Sequence, residues 1–220
     1  TRLGTKFIHY FFESDMGPKG IEIVRQHPDV FTKSEQNEKT IIFEGEKYGL
    51  HTRVFINSQG LPTYEAKELG LNQEKFTLYR PDLSLIVTGN EITDYFKVLL
   101  KAMELIMPDV AARTRHIPHG MHRLSAGKMS SRTGDVITAE QLIAEVKNRL
   151  PESANEAVAL AAIKYSVLKQ SIGNDIIFDF EKSVAFQGDS GPYLQYTYAR
   201  LKSILRKSAV SAVIPAPDYG

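Results

Sequence analysis

The 220-residue sequence predicts an α/β fold, half of a doubly wound sheet, followed by an all-α region. Three observations carry this expectation. Leu85-Ile86-Val87-Thr88 is a short β-branched run of the kind that fills a fully buried parallel strand, and it stops at Gly89. After it, Phe96, Leu99, Leu100, Met103 and Ile106 form one apolar helical stripe, capped by Thr93 and ended by Pro108, before the chain returns toward Ile117. Further on the signals turn wholly helical. Strand, glycine turn, helix and returning strand make half of a doubly wound sheet, in which ligands sit at the carboxyl ends of the strands.

Composition narrows the class. The chain is 42% apolar, enough for a sizeable core, and it has no apolar run approaching the roughly 20 residues that cross a bilayer. The absence of Cys removes disulfides, thiolate zinc sites and cysteine nucleophiles, and fits an intracellular, cytoplasmic enzyme. The net charge of +1 does not announce a nucleic-acid partner, since affinity for phosphate depends on clustered charge.

At the N-terminal end, Phe7–Ser14 is aromatic-rich and amphipathic, and a helix-like patch ends near His27-Pro28. This part reads as packing without chemistry. Lys39–Phe43 and Arg53–Ile56 read as short strands separated by a turn through Glu44-Gly45-Glu46. Leu61–Gly70, with Pro62 near its start and Gly70 at its end, reads as a short helix. Tyr64 and Glu68 then lie one turn apart on one face, where a phenol ring and a carboxylate could receive a guanidinium. A solvated Glu68 on a surface helix explains the same pattern.

Between Val110 and Gly134 there is no Asp or Glu, yet five Arg or Lys and three His are present. Gly127 and Gly134 flank Lys128-Met129-Ser130-Ser131-Arg132, so backbone N–H groups, two hydroxyls and two cations can gather round a polyphosphate. The spacing His116-x-x-His119-x-x-His122 invites a metal, but Pro118 and Gly120 break any helix that would align the three, and no Cys or carboxylate completes a set. No metal ligand is assigned. Thr138-Ala139-Glu140-Gln141 is a capping box that opens a helix with Leu142, Ile143, Val146 and Leu150 inward, and Asn155–Lys169 is a second, Ala-rich helix. Ser190-Gly191-Pro192 starts the last helix, with Leu194, Tyr198, Leu201 and Leu205 on an apolar face and Arg200, Lys202, Arg206 and Lys207 on the other. Ile214–Gly220 reads as linker.

Lys128-Met129-Ser130-Ser131-Arg132 resembles the KMSKS signature of class I aminoacyl-tRNA synthetases, in the form that arginyl-tRNA synthetases often carry. A second block, Phe186-Gln187-Gly188-Asp189-Ser190-Gly191-Pro192-Tyr193-Leu194-Gln195-Tyr196 followed by Ala199-Arg200, resembles the arginyl family's F-x-G-[DN]-[ST]-G-P-Y-L-Q-Y…A-R segment. The resemblance implies the second half of the Rossmann-like nucleotide-binding domain of a class I synthetase, followed by an all-α region that includes the start of a helical anticodon-binding domain. Its implied divisions are a connecting module at 1–50, the half-domain at 51–135, connecting helices at 136–180 and the anticodon-binding start at 181–220. It implies activation of L-arginine with ATP and Mg²⁺, then transfer to the 3′ end of tRNA(Arg). The segment bearing the H-x-G-H signature is expected upstream, so the chain alone is expected to be inactive.

Residue by residue, the resemblance assigns Lys128, Ser130, Ser131 and Arg132 to catalysis at the phosphates, with Lys128 and Met129 also touching ATP. Tyr64 and Glu68 match the family's T-Y-x-x-x-D segment and would bind arginine, Glu68 replacing the family's Asp. Gly89 and Glu91 match its G-x-[ED]-Q-x-x-H-F turn at the ATP ribose, where Ile92 and Tyr95 replace the Gln and His. His116, Gly120 and Met121 match its H-[VI]-x-F-G-M segment at ATP, with His119 in place of the aromatic residue. Tyr193, Gln195 and Arg200 would meet tRNA. Two other readings fit parts of this pattern: another class I synthetase, which lacks the Gly191–Tyr196 block, and a non-catalytic RNA-binding piece, for which Tyr64 and Glu68 have no use.

Overall fold

Two helices that meet backbone to backbone start the fold. In the computed structural model, which describes residues 2–124 and 138–208, helix α1 (Glu13–Gln26) lies against helix α2 (Tyr64–Tyr79). A Cβ built on Gly20 would stand 1.9 Å from the Ala66 carbonyl oxygen, and one on Gly70 would stand 2.5 Å from that of Met16. Hydrogen in place of a side chain is what permits this approach. Lys67 closes the pair with a 2.6 Å bridge to Glu13, and Lys19 pairs with Glu74.

The chain forms two compact units, Thr1–Gly120 and Met121–Gly220. In the first, β1 (Thr32–Ser34), β2 (Asn37–Phe43) and β3 (Arg53–Ile56) make an antiparallel meander in that order. Its inner face presents Phe43 and Phe55, which pack with Phe31 at ring separations of 4.8 to 6.3 Å. The same core takes in Ile23 and Val24 of α1 and Ala66 and Leu69 of α2. It extends to Phe96, Val98, Leu99, Ala102 and Met103 of helix α3 (Thr93–Ile106). Strand β4 (Ser84–Gly89) leads into α3 through a single 3₁₀ turn, and the short helix α4 (Pro108–Ala112) leads on to strand β5 (Thr114–His119). β5 pairs with β4 in parallel, from Ser84 opposite Thr114 to Gly89 opposite His119. The expected strand, glycine, helix, parallel strand unit is present.

Four local expectations change. Helix α2 runs through Gly70 to Tyr79, because Gly70 serves contact with α1 and does not terminate the helix. The helix ends instead at Arg80, in the left-handed conformation at φ 45°, just before Pro81. Strand β4 is covered on one face only: Ser84 is buried while Leu85 and Val87 are 54% and 63% exposed, since among the described residues this sheet has two strands. Thr93 is not a cap but the first residue of α3, its hydroxyl donating to the Asn90 carbonyl at 2.7 Å. Residues 7–12 form no regular element, and Phe7, Ile8, Tyr10 and Phe12 are exposed.

The second unit begins with β6 (His122–Leu124), paired in parallel with β7 (Ile176–Phe178), a strand the sequence pattern did not single out. Helix α5 (Ala139–Asn148) opens on the expected capping box, with the Gln141 N–H donating to the Thr138 hydroxyl and the Gln141 side chain accepting from the Thr138 N–H. Ile143, Val146 and Leu150 pack against Ala159, Ala162 and Ile163 of helix α6 (Glu156–Leu168) and against Phe178. After α7 (Phe180–Val184), the last helix α8 (Gly191–Lys207) docks through Gly191, whose Cβ position lies 2.2 Å from the Ala161 carbonyl oxygen. Its expected apolar face does not pack. Leu194, Tyr198, Leu201 and Leu205 are exposed, and the buried residues of this helix are Gly191 and Pro192 at its start. Residues 214–220, read as linker, lie outside the described residues.

Gly20→Ala is expected to destabilise the fold by about 3 kcal/mol, the upper part of the range for overpacking, because the clash is with backbone that cannot step aside. Gly60→Ala is the control. Gly60 has φ 78° with nothing within 4 Å of its Cβ position, so only the left-handed backbone is strained, at about 1–2 kcal/mol. Urea midpoints of the two variants check the difference.

Candidate active site

Helix α2 is aimed by Thr63. Its N–H donates to the Phe55 carbonyl at 3.0 Å, and its hydroxyl donates to the carbonyls of Val54 at 2.7 Å and Phe55 at 3.1 Å. These bonds tie the start of the helix to β3. Tyr64 follows as its first residue, 49% exposed, with its ring 5.6 Å from that of Tyr95 on α3. Glu68 is half-buried one turn on, and Asn72 lies a further turn down, donating from Nδ2 to the Glu68 carbonyl at 2.8 Å and toward the Glu68 carboxylate at 3.5 Å.

Burial is the main cause that pushes the Glu68 carboxyl above its ordinary range, opposed by Lys75 and reinforced by Glu13. Burial also lowers the Lys75 ammonium, although Glu68 raises it. Lys75 is held at 3.2 Å by the Ser84 hydroxyl, and no salt bridge joins it to Glu68 among the described residues. The Tyr64 and Tyr95 phenols are both pushed up, first by burial and next by the Glu68 charge. Thus α2 and α3 hold a carboxylate in a poorly solvated place with phenol groups beside it. A cation with several N–H donors is the ligand such a set suits.

At the end of β4, the Glu91 carboxylate folds over the α-carbon of Gly89, so a Cβ there would stand 2.1 Å from Oε2. Gly89 itself has ordinary extended backbone at φ −63°. Its value lies in the room it leaves for that carboxylate. On β5 the His116 ring stacks on Phe96 at 4.0 Å between centroids, and its Nε2 is 2.7 Å from the Thr88 hydroxyl. Burial lowers its pKa and favours the neutral ring. Gly120 is buried at the end of this unit.

In the second unit, Met121 is exposed while its backbone is held, the N–H donating to Asp175 Oδ1 at 3.0 Å and the carbonyl accepting from Ile176 at 2.9 Å. Asp175 also bridges Arg123 at 2.8 Å. Lys128, Met129, Ser130, Ser131 and Arg132 lie outside the described residues. Tyr193 and Gln195 are exposed on α8, Gln195 donating to the Ala157 carbonyl at 3.3 Å, and Arg200 donates to the Tyr196 hydroxyl at 2.7 Å. The structure therefore gathers Tyr64 and Glu68, and Gly89 and Glu91, as pairs within the first unit. Asn72, Lys75, Tyr95 and Asp175 were not singled out as site residues by pattern. Asn72 carried one signal, a polar residue of low helix propensity one turn beyond Glu68.

The fold is one that solved arginyl-tRNA synthetases share over part of their length. The chain superposes on arginyl-tRNA synthetase from Plasmodium falciparum with a TM-score of 0.76 at 20% identity, covering 96% of this chain and 38% of that one. For the Thermus thermophilus arginyl-tRNA synthetase the TM-score is 0.69, again at 20% identity, over 94% and 42%. By sequence, its homologues are arginine–tRNA ligases. It is 31% identical over 219 residues to the Clostridium acetobutylicum arginine–tRNA ligase, covering 94% of this chain and 39% of the relative. With the Clostridium perfringens ligase it shares 28% identity over 230 residues, covering 99% of this chain and 40% of the relative. The chain thus spans about two fifths of the length of these relatives. No protein-family model matches it.

The raised pKa of Glu68 has a consequence for stability. The folded state keeps the proton to a higher pH than the unfolded chain, so its contribution is full below the ordinary carboxylate range and is lost as pH rises through the raised value. Glu68→Gln stays neutral throughout. It is expected to melt with the wild type near about pH 4 and above it at about pH 7 to 8. Thermal midpoints across that range test this, and a variant less stable than the wild type at neutral pH contradicts it.

Proposed function

We propose that this chain supplies the arginine side-chain pocket and the cationic phosphate loop of an arginine–tRNA ligase, which activates L-arginine with ATP and passes it to tRNA(Arg). The observation that carries the reading is the half-buried Glu68 carboxylate on α2, flanked by the Tyr64 ring, in a segment homologous to arginine–tRNA ligases. A buried carboxylate with a raised pKa is costly to the free protein, and a guanidinium beside it offsets that cost through charge-assisted, paired hydrogen bonds. Tyr64 adds a wall for the planar cation.

In this reading the Glu91 carboxylate, which Gly89 leaves room for, accepts from the ATP ribose hydroxyls, while His116, Gly120 and Met121 shape the nucleotide's place. Lys128 meets the charge that develops on the leaving pyrophosphate, supported by Ser130, Ser131 and Arg132, with Met129 against the nucleotide. The arginine carboxylate attacks the α-phosphate in line and no covalent protein intermediate forms, so the protein's part is positioning and charge stabilisation. Mg²⁺ is the ion that accompanies ATP. Among the described residues no group of three His, Asp or Glu is placed to hold a metal. Tyr193, Gln195 and Arg200 on the exposed α8 would contact tRNA, with Tyr rings available for stacking and Arg200 for phosphate. No described helix is long and apolar enough to cross a membrane.

Two substitutions in a full-length protein carrying this segment test the reading by arginine-dependent ATP–pyrophosphate exchange. Glu68→Gln is expected to lower arginine kcat/KM by about 1.5–3 kcal/mol with ATP parameters barely changed. An unchanged arginine kcat and KM removes Glu68 from the site. Lys128→Ala is expected to lower kcat on the order of a hundredfold, about 3 kcal/mol, at nearly constant ATP KM. A raised ATP KM with kcat intact would make Lys128 a ground-state anchor instead.

A further inference from the structure

We infer that Asn72 and Tyr95 are specificity residues of the guanidinium pocket, their side-chain oxygens without a partner among the described residues and each available to accept from one of the substrate's N–H groups. The inference rests on the arginine-binding reading of Glu68 and extends it to two side chains outside the Tyr64–Glu68 pair.

The observation is a pair of buried oxygens. Asn72 is 0% exposed and Tyr95 is 6% exposed, and the Asn72 Oδ1 and Tyr95 hydroxyl oxygens have no hydrogen-bond partner among the described protein atoms. A buried polar atom left in that condition loses its hydration with no bond in return, and native folds keep few of them. The Asn72 amide is held the right way round by its surroundings. Its Nδ2 faces two acceptors of Glu68, the carbonyl at 2.8 Å and the carboxylate at 3.5 Å, so turning the amide over would set oxygen against oxygen. Oδ1 is therefore the end left over, and it can only accept.

Position ties the two to Glu68. Tyr64, Glu68 and Asn72 recur every four residues on α2, which places them on one face, each a turn below the last. Tyr95 lies on α3 with its ring 5.6 Å from Tyr64, close enough to Glu68 that this carboxylate is the foremost charge acting on its phenol. The four groups together present two carboxylate oxygens, an amide oxygen and two phenol hydroxyls, with the Asn72 amide donor already turned to Glu68. A guanidinium is planar, carries five N–H donors and accepts nothing, which matches that list. Lysine's ammonium has three donors on one atom and could not reach acceptors spread over two helices. A neutral urea group, as in citrulline, brings no charge to the Glu68 carboxylate and has one N–H-bearing nitrogen fewer.

The test uses a full-length protein carrying this segment, with L-arginine as the probe. Tyr95→Phe removes one hydroxyl and leaves the ring in place. It is expected to raise the arginine KM about tenfold at unchanged ATP KM, and to leave the thermal midpoint without arginine equal or higher. Asn72→Leu, similar in size, is expected to raise the arginine KM by a similar factor. An unchanged arginine KM with a lowered midpoint would show the Tyr95 hydroxyl to be satisfied within the fold, by solvent or protein, and would overturn the inference. Equal rises in the arginine and ATP KM values would mean general loosening and would also overturn it. If the wild-type protein shows no arginine-dependent exchange, or Glu68→Gln leaves the arginine KM unchanged, the underlying reading fails instead, and the two failures are told apart.

Discussion

The contact of α1 and α2 at Gly20 and Gly70 governs what the first unit can do. Residues two apart on a helix point about 200° from each other. With Ala66 and Gly70 pressed on α1, Tyr64, Glu68 and Asn72 are turned to the other side of α2, toward Tyr95 of α3. A wider separation of α1 and α2 would loosen that orientation. The ion pairs Lys67–Glu13 and Lys19–Glu74 lie along the same seam, but they are partly exposed and each is worth little beside the packing. Thr63 completes the constraint by fixing the start of α2 on β3.

In the second unit, the block that carries the family resemblance acts first as architecture. Gly188 has φ 77° and turns the chain. Ser190 accepts from the Tyr193 N–H at 3.2 Å and donates to the Ala185 carbonyl, which caps α8 and ties it to the preceding loop. Gly191 lets α8 reach the backbone of α6. Asp189 takes the hydroxyl of Tyr165 and, at 3.1 Å, the ammonium of Lys169, and these partners hold its carboxyl below the usual carboxylate range. Beyond this docked turn α8 stands free, with Tyr196, Tyr198 and Arg200 exposed.

Pattern in the sequence made much of this legible. The capping box at Thr138, the start of α8 at Ser190, the Ala-rich α6 and the β4–α3–β5 order all rest on local rules: side chain to backbone bonds within four residues, helical period, and proline or glycine at element ends. The Tyr64–Glu68 pairing was likewise local, since residues four apart on a helix share a face. Gly70 misled for a physical reason. A glycine that ends a helix and a glycine that lets another helix approach have the same local signature, and only the presence of α1 separates them.

What the sequence determined by itself was therefore element type and order, the polar face of α2 and the family resemblance, because each is written in neighbours along the chain. Burial and partnership were decided by tertiary structure alone. Leu85, Val87 and the apolar side of α8 are as hydrophobic as any core residue, yet whether they are covered depends on which distant segments lie over them. Asn72 and Tyr95 are 23 positions apart, on different helices, and each alone is an ordinary polar residue. Their oxygens acquire meaning only when folding removes both from water beside Glu68, since desolvation is a property of the whole surrounding shell and no short stretch of sequence contains it.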